Sequence, residues 1–195
     1  MKPIEPAAEA VHIAELRVPN WTVRWHAAKM LASIGGQRAV EPLIAALSDA
    51  DVWVRWEVVH ALGNIGGPRA VEALIPTMRD PDSWVRWEAT RALGKIGGTR
   101  AVEPLLAAVG DTEAQVRWEA VRALGDLRAE SAFDVLVAAL RDVEERVRWE
   151  AARALGRIGA ARAVEVLIET CQDSDDRVRC EAERALRNIG YIVTQ

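Results

Sequence analysis

The sequence predicts an all-α protein, a solenoid of six stacked helix pairs, and three observations carry that prediction. The dipeptide Arg-Trp recurs at Arg24-Trp25, Arg55-Trp56, Arg86-Trp87, Arg117-Trp118 and Arg148-Trp149, always 31 residues apart, and a sixth copy, Arg179-Cys180, keeps the register without the tryptophan. Within each period the apolar residues follow helical spacing, and nothing alternates with period two over strand lengths. A glycine closes the second segment of most copies, at Gly35, Gly66, Gly97, Gly159 and Gly190.

Taken in order, the copies span about 5–35, 37–66, 68–97, 99–127, 130–159 and 161–190. The leading segment of the first, residues 5–18, departs from the pattern. Glu9 and His12 replace apolar positions there, as expected of a capping unit that faces water. In the third copy Pro76 falls deep inside the leading segment, where a kink is expected. The fourth copy reads most clearly. Ala101, Val102, Leu105, Leu106 and Val109 form one helical stripe, Gly97-Gly98-Thr99 stops the previous helix and starts this one, and Pro104 lies near the first turn. In the fifth copy Val147, Ala151, Ala154, Leu155 and Ile158 share a face, behind an acidic entry of Asp142 and Glu144. The last copy carries Arg187 in place of the usual glycine, and a short tail, Tyr191 to Gln195, closes the array. No linker or low-complexity stretch interrupts it, so residues 1–195 are expected to form one structural unit with caps at both ends.

Composition narrows the function classes. The net charge of −4 and a pI near 5.5 disfavour a nucleic-acid surface spread over the molecule. Eight tryptophans against one Phe and one Tyr suggest contact rather than filling, since ordinary cores use Phe and Leu. Cys171 and Cys180 make no disulfide framework. Cys171 is expected in the core at the end of its helix, and Cys180 exposed at the tryptophan position. No apolar run spans a bilayer and no signal core opens the chain, so a cytoplasmic setting without membrane contact is expected.

The recurrent pattern Asp-x-(Asp/Glu)-x-x-Val-Arg-x-x-Ala-x-x-Ala-Leu-Gly-x-Ile-Gly-x-x-Arg-Ala-Val-Glu-Pro-Leu resembles the short, 31-residue HEAT repeat of the phycobilin-lyase type, and also engineered HEAT-like scaffolds. The resemblance covers residues 5–190. It implies a right-handed superhelix with one helix of each pair lining a concave face. It also implies a structural ladder between repeats built from Asp49/Arg55, Asp80/Arg86, Asp111/Arg117, Asp142/Arg148 and Asp173/Arg179. The first copy has Arg24 but Val18 at the Asp position, so the ladder is expected to start at the second copy.

Helical phase separates the tryptophans from the core. At roughly 100° per residue, Trp149 lands about 170° from the centre of the apolar sector of its segment, and Trp25, Trp56, Trp87 and Trp118 share that phase. With repeats stacked at about 8–10 Å, five such residues would form a ladder some 40 Å long. Trp21, Trp53 and Trp84 lie one turn earlier on a similar face, while Arg146, Arg153, Arg157, Arg177 and Arg184 make the later copies cationic. Arg91, Arg122 and Arg153 stand one turn after their tryptophans, and His60 holds that position in the second copy. Stacking within each helix would be worth about 0.5–1 kcal/mol per pair. Glu88/Arg91, Glu119/Arg122 and Glu150/Arg153 read as helix-surface ion pairs worth a few tenths.

No catalytic constellation appears. Hydroxylases of the HEAT class carry His-Glu where this chain has Trp-Glu, so the imidazole ligands are missing, and His12, His26 and His60 make no metal set. No cofactor is expected. The reading that results is a non-catalytic scaffold holding a protein or peptide, or a second copy of itself, on Trp21, Trp25, Trp53, Trp56, Trp84, Trp87, Trp118, Trp149, His60, Arg91, Arg122 and Arg153. Tetrapyrrole binding of the lyase type and a homo-oligomerising structural role are the alternatives.

Overall fold

In a computed structural model the described residues are 6–159 and 161–191; residue 5, expected in the first leading helix, and the tail from 192 onward lie outside them. Twelve α-helices and no strand occur among the described residues. By contacts the helices group into two compact units, residues 1–96 and 97–195, each with three helix pairs.

The first unit contains α1 (Pro6–Glu15), α2 (Trp21–Ile34), α3 (Val40–Ala46), α4 (Val52–Ile65), α5 (Pro68–Thr77) and α6 (Ser83–Ile96). The second contains α7 (Thr99–Ala108), α8 (Ala114–Asp126), α9 (Phe133–Ala139), α10 (Glu145–Ile158), α11 (Val164–Thr170) and α12 (Asp176–Ile189). Short 3-10 turns lead into α3, α9 and α11. In each unit the even-numbered helices pack on one another in sequence, α2 on α4 on α6 and α8 on α10 on α12, and each odd helix packs on the even helix that follows it.

One leucine in every helix except α1 anchors this packing. Leu31, Leu62 and Leu93 in the even helices of the first unit are fully buried, as are Leu124, Leu155 and Leu186 in the second. Leu43, Leu74, Leu105, Leu136 and Leu167 do the same in the odd helices. Burying one such side chain contributes roughly 1.5–3 kcal/mol.

Helix ends follow local chemistry. Asn20, Asp51 and Asp175 cap α2, α4 and α12 with side-chain oxygens that accept first-turn N–H groups. Gly35, Gly66, Gly97, Gly159 and Gly190 close their helices with positive φ. The fourth copy lacks that glycine, and Arg128 takes the left-handed place with φ +49°. Pro76 is the last residue but one of α5, so it ends that helix and leaves no length beyond it to kink. Between even helices small residues set the spacing. A Cβ added at Gly125 would lie 2.6 and 2.9 Å from Ala154 Cβ and Cα, and one at Gly156 would lie 2.7 and 2.8 Å from Ala185 Cβ and Cα. Arg187 occupies the equivalent place on α12 and is exposed.

Candidate functional site

Every even helix begins next to an Asp–Arg pair that the repeat register dictates. Arg24 Nε and Nη2 donate to Asp49 at 2.6 and 2.8 Å, and Arg55 donates to Asp80 at 2.8 and 3.0 Å. In the second unit Arg117 holds Asp142 at 2.7 and 2.8 Å, and Arg148 holds Asp173 at 2.8 and 2.9 Å. Each carboxylate therefore belongs to the copy after its arginine, 25 residues on. The residue six before the arginine meets it through its backbone instead, as Arg55 Nη1 donates to Asp49 O at 2.9 Å and Arg148 Nη1 to Asp142 O at 2.9 Å. Arg86 Nη1 donates to Asp80 O in the same way.

This offset corrects one expectation. The pairing begins at the first copy, because Arg24 finds its carboxylate in Asp49 of the next one and uses Val18 only through its carbonyl, at 2.9 Å. The aspartates have a second task. Asp49, Asp80, Asp111, Asp142 and Asp173 each accept the backbone N–H two residues on, at 2.8–2.9 Å, which holds the turn into the even helix. Arg179 turns instead to Asp173 O at 2.7 Å and to the Asp176 carboxylate. Burial alone would push the Asp142 carboxyl up, but bonds from Arg117 and the Glu144 N–H outweigh it and hold it below its ordinary range.

The tryptophans divide into two kinds. Trp21, Trp53 and Trp84 stand in the first turns of α2, α4 and α6 and are 44, 54 and 55 % exposed. Trp25, Trp56, Trp87, Trp118 and Trp149 are half-buried, and polar side chains lie over them. Lys29 lies 4.9 Å from the Trp25 ring, Arg91 5.5 Å from Trp87 and Arg153 5.3 Å from Trp149. His60 stacks parallel on Trp56 at 5.6 Å, and Trp84 meets Trp87 edge-on at 6.0 Å. Trp118 lies between Arg146 at 3.9 Å and Arg122 at 6.0 Å, its buried indole nitrogen without a hydrogen-bond partner among the described residues.

Beneath these rings, in each unit, lie glutamates whose burial sequence spacing did not show. Glu57, Glu88, Glu119, Glu150 and Glu181, each one residue after the Trp or Cys position, are at most 7 % exposed. The expected helix-surface ion pairs of Glu88, Glu119 and Glu150 are therefore buried at their carboxylate ends, and for Glu88 and Glu150 the position faces the preceding even helix of the same unit rather than water. Arg91 closes on Glu88 at 2.6 Å and also lies 2.8 Å from His60 Nδ1. Arg122 binds Glu119 and, at 3.1 Å, Asp126, which also receives Arg157 of the next helix. Burial pushes the Glu57, Glu150 and Glu181 carboxyls above their ordinary values, against nearby cations led by His60, Arg153 and Arg184 respectively, and the Trp25 indole also hydrogen-bonds Glu57.

Two placements near the ends differ from expectation. Glu9 was expected to face water, but its Oε1 is buried without a partner among the described residues, while His12 pairs with Glu15 at 2.7 Å. Cys171 caps the end of α11 half-buried rather than in the core, its thiol pushed up by burial and by Glu183, and Cys180 is exposed. Among the described residues no group of three or more His, Cys, Asp or Glu could hold a metal ion, and no helix is long and apolar enough to cross a membrane.

These stacked pairs with a repeated rung define an α-helical repeat protein. The HEAT_2 family of HEAT repeats matches residues 10–78, 68–117 and 102–187, and the chain belongs to that family. An engineered protein is 29 % identical with a TM-score of 0.68, over 95 % of this chain and 97 % of that one. The complex of CpcE and CpcF of phycocyanin lyase from Nostoc sp. PCC7120 is 27 % identical with a TM-score of 0.69, over 94 % of this chain and 77 % of that one. A designed armadillo repeat protein in complex with the peptide (KR)4 shares the fold at 24 % identity and a TM-score of 0.68, over 92 % of this chain and 98 % of that one. No curated protein matches the chain by sequence.

Proposed function

We propose that the chain is a non-catalytic binding protein that holds a protein or peptide against the tryptophan and arginine faces of its even helices. The observation that carries this is the exposure of Trp21, Trp53 and Trp84 at 44, 54 and 55 % within one unit. Exposing three indoles is costly unless something covers them, and Trp and Arg dominate binding hot spots. In the same unit Trp25, Trp56 and Trp87, with His60 and Arg91, add their rings and cations to that surface, and Trp118 and Trp149 with Arg122 and Arg153 give the second unit a surface of the same kind. The Asp–Arg rungs of Asp49 to Arg179 serve the scaffold.

The test is a selection of random displayed peptides against the chain, repeated on a Trp21→Ala, Trp53→Ala, Trp84→Ala triple variant. Selected peptides rich in apolar anchors are expected to lose binding to the variant, whose changed side chains carry little of the core. Equal binding to both proteins, with light scattering also unchanged across concentrations, would sink the proposal. Concentration-dependent scattering that the variant abolishes would identify a second copy as the partner. Tetrapyrrole binding of the lyase type is the second reading, supported by the likeness to the CpcE and CpcF complex of phycocyanin lyase, and under it an added bilin gains a new visible absorption band on mixing.

A further inference from the structure

We infer that the second unit carries a carboxylate-binding cleft on the open face of α10 and α12, formed by Trp149, Arg146, Arg177 and Glu145. The inference rests on reading these faces as binding surfaces, and it names the chemistry of the partner there.

The repeat itself shows what is left open. In the copy before, the guanidinium of Arg146 lies 3.9 Å from the Trp118 ring and covers it. Arg177 holds the equivalent position 31 residues later, but it turns aside to Asp175 and Glu145, each at 3.3 Å, so the cleft opens over Trp149. The sixth copy also has Cys180 where the others have tryptophan, so no further indole closes that side. What remains is an apolar floor with two guanidinium walls.

Charge decides the occupant. Arg146 has no carboxylate within ion-pair distance among the described residues, and it is exposed. Arg177 is 70 % exposed in side-chain area and shares loose contacts with two carboxylates. Glu145 and Asp175 offset Arg177 in part, while Arg146 has no acid set against it, so an anion is favoured over a cation. Two planar forks around an aromatic floor suit a carboxylate next to an apolar side chain, since each guanidinium can take both oxygens. The occupant is accordingly an acidic peptide segment with an apolar residue beside its Asp or Glu.

The probe is a fluorescent hexapeptide with two central leucines flanked by pairs of glutamates. Its counterparts carry lysines or serines at those four places. The glutamate peptide is expected to bind best, to weaken as salt rises, and to lose roughly tenfold or more in affinity to an Arg146→Glu, Arg177→Glu variant. Binding should also shift the indole N–H resonance of Trp149, assigned with Trp149→Phe. If the serine peptide binds as tightly and still moves the Trp149 resonance, the surface stands and the carboxylate assignment falls. Preference for the lysine peptide overturns the assignment outright. If no peptide shifts that resonance at millimolar concentration, both the cleft and the binding role of this face are overturned.

Discussion

Arg128 is the one non-glycine residue with positive φ among the described residues. It sits between two bonds that close α8, its own N–H to Gly125 O at 3.1 Å and that of Ala129 to Leu124 O at 3.1 Å. A left-handed place costs an ordinary side chain roughly 1–2 kcal/mol, of which glycine returns about 0.5–1 through its looser unfolded chain. Arg128→Gly is therefore expected to raise the unfolding free energy by about 0.5–1 kcal/mol in urea titration. An unchanged midpoint would mean that the turn carries no strain. The sequence showed a glycine missing from its register but not what the backbone did about it. The buried glutamates were hidden for a different reason. A carboxylate repeated at Glu57, Glu88, Glu119, Glu150 and Glu181, while the residue three on changes from His60 to Arg91, was the available signal. Spacing alone made it a surface pair, because a charged residue beside an exposed ring reads as solvated until the neighbouring helix is in place.

At the scale of the helix, small residues decide how close two elements come. In an exposed helix Gly→Ala gains roughly 1 kcal/mol. Gly156→Ala reverses that sign, because the new Cβ meets Ala185 Cα at 2.8 Å and neither helix can yield by rotating a side chain. A net loss of about 1–3 kcal/mol is expected from overpacking, read as a lower thermal or urea midpoint. A gain would show that α10 and α12 separate easily. Helix identity and order were legible throughout, since each even helix repeats one apolar stripe and all but one of the copies end on glycine. Helix starts were less so. The aspartates at the turns looked like members of pairs six residues apart, yet their carboxylates reach back to the preceding copy, as Asp173 does to Arg148. Spacing along one chain cannot show which side of a repeat boundary a side chain leans toward.

At the scale of the whole molecule, two sets of carboxyls pull the acid response in opposite directions. Glu57, Glu150 and Glu181 titrate above the ordinary 4.5 because burial disfavours their charge. Their folded form binds protons that the unfolded chain has released, so stability grows as pH falls from neutrality through their folded values and is complete below 4.5. Asp49, Asp142 and Asp173 titrate below the ordinary 3.8, so their contribution is present above 3.8 and lost as pH falls through their folded values. Urea midpoints measured from neutral to acid pH should rise to a maximum at about pH 4–5 and then fall. Glu150→Gln should flatten the rising limb, and an unaltered limb in that variant would show that its charge is not disfavoured by burial.

Arg187 shows what the close spacing of the even helices asks of this position. Where Gly125 and Gly156 are sockets that receive an alanine from the following helix, α12 presents a plugged socket, with a long charged side chain standing where a backbone would have to seat. Anyone grafting a further helix pair onto α12 would meet that side chain first, and a small residue at 187, glycine as at 125 and 156 or alanine as at 32, would make room for it.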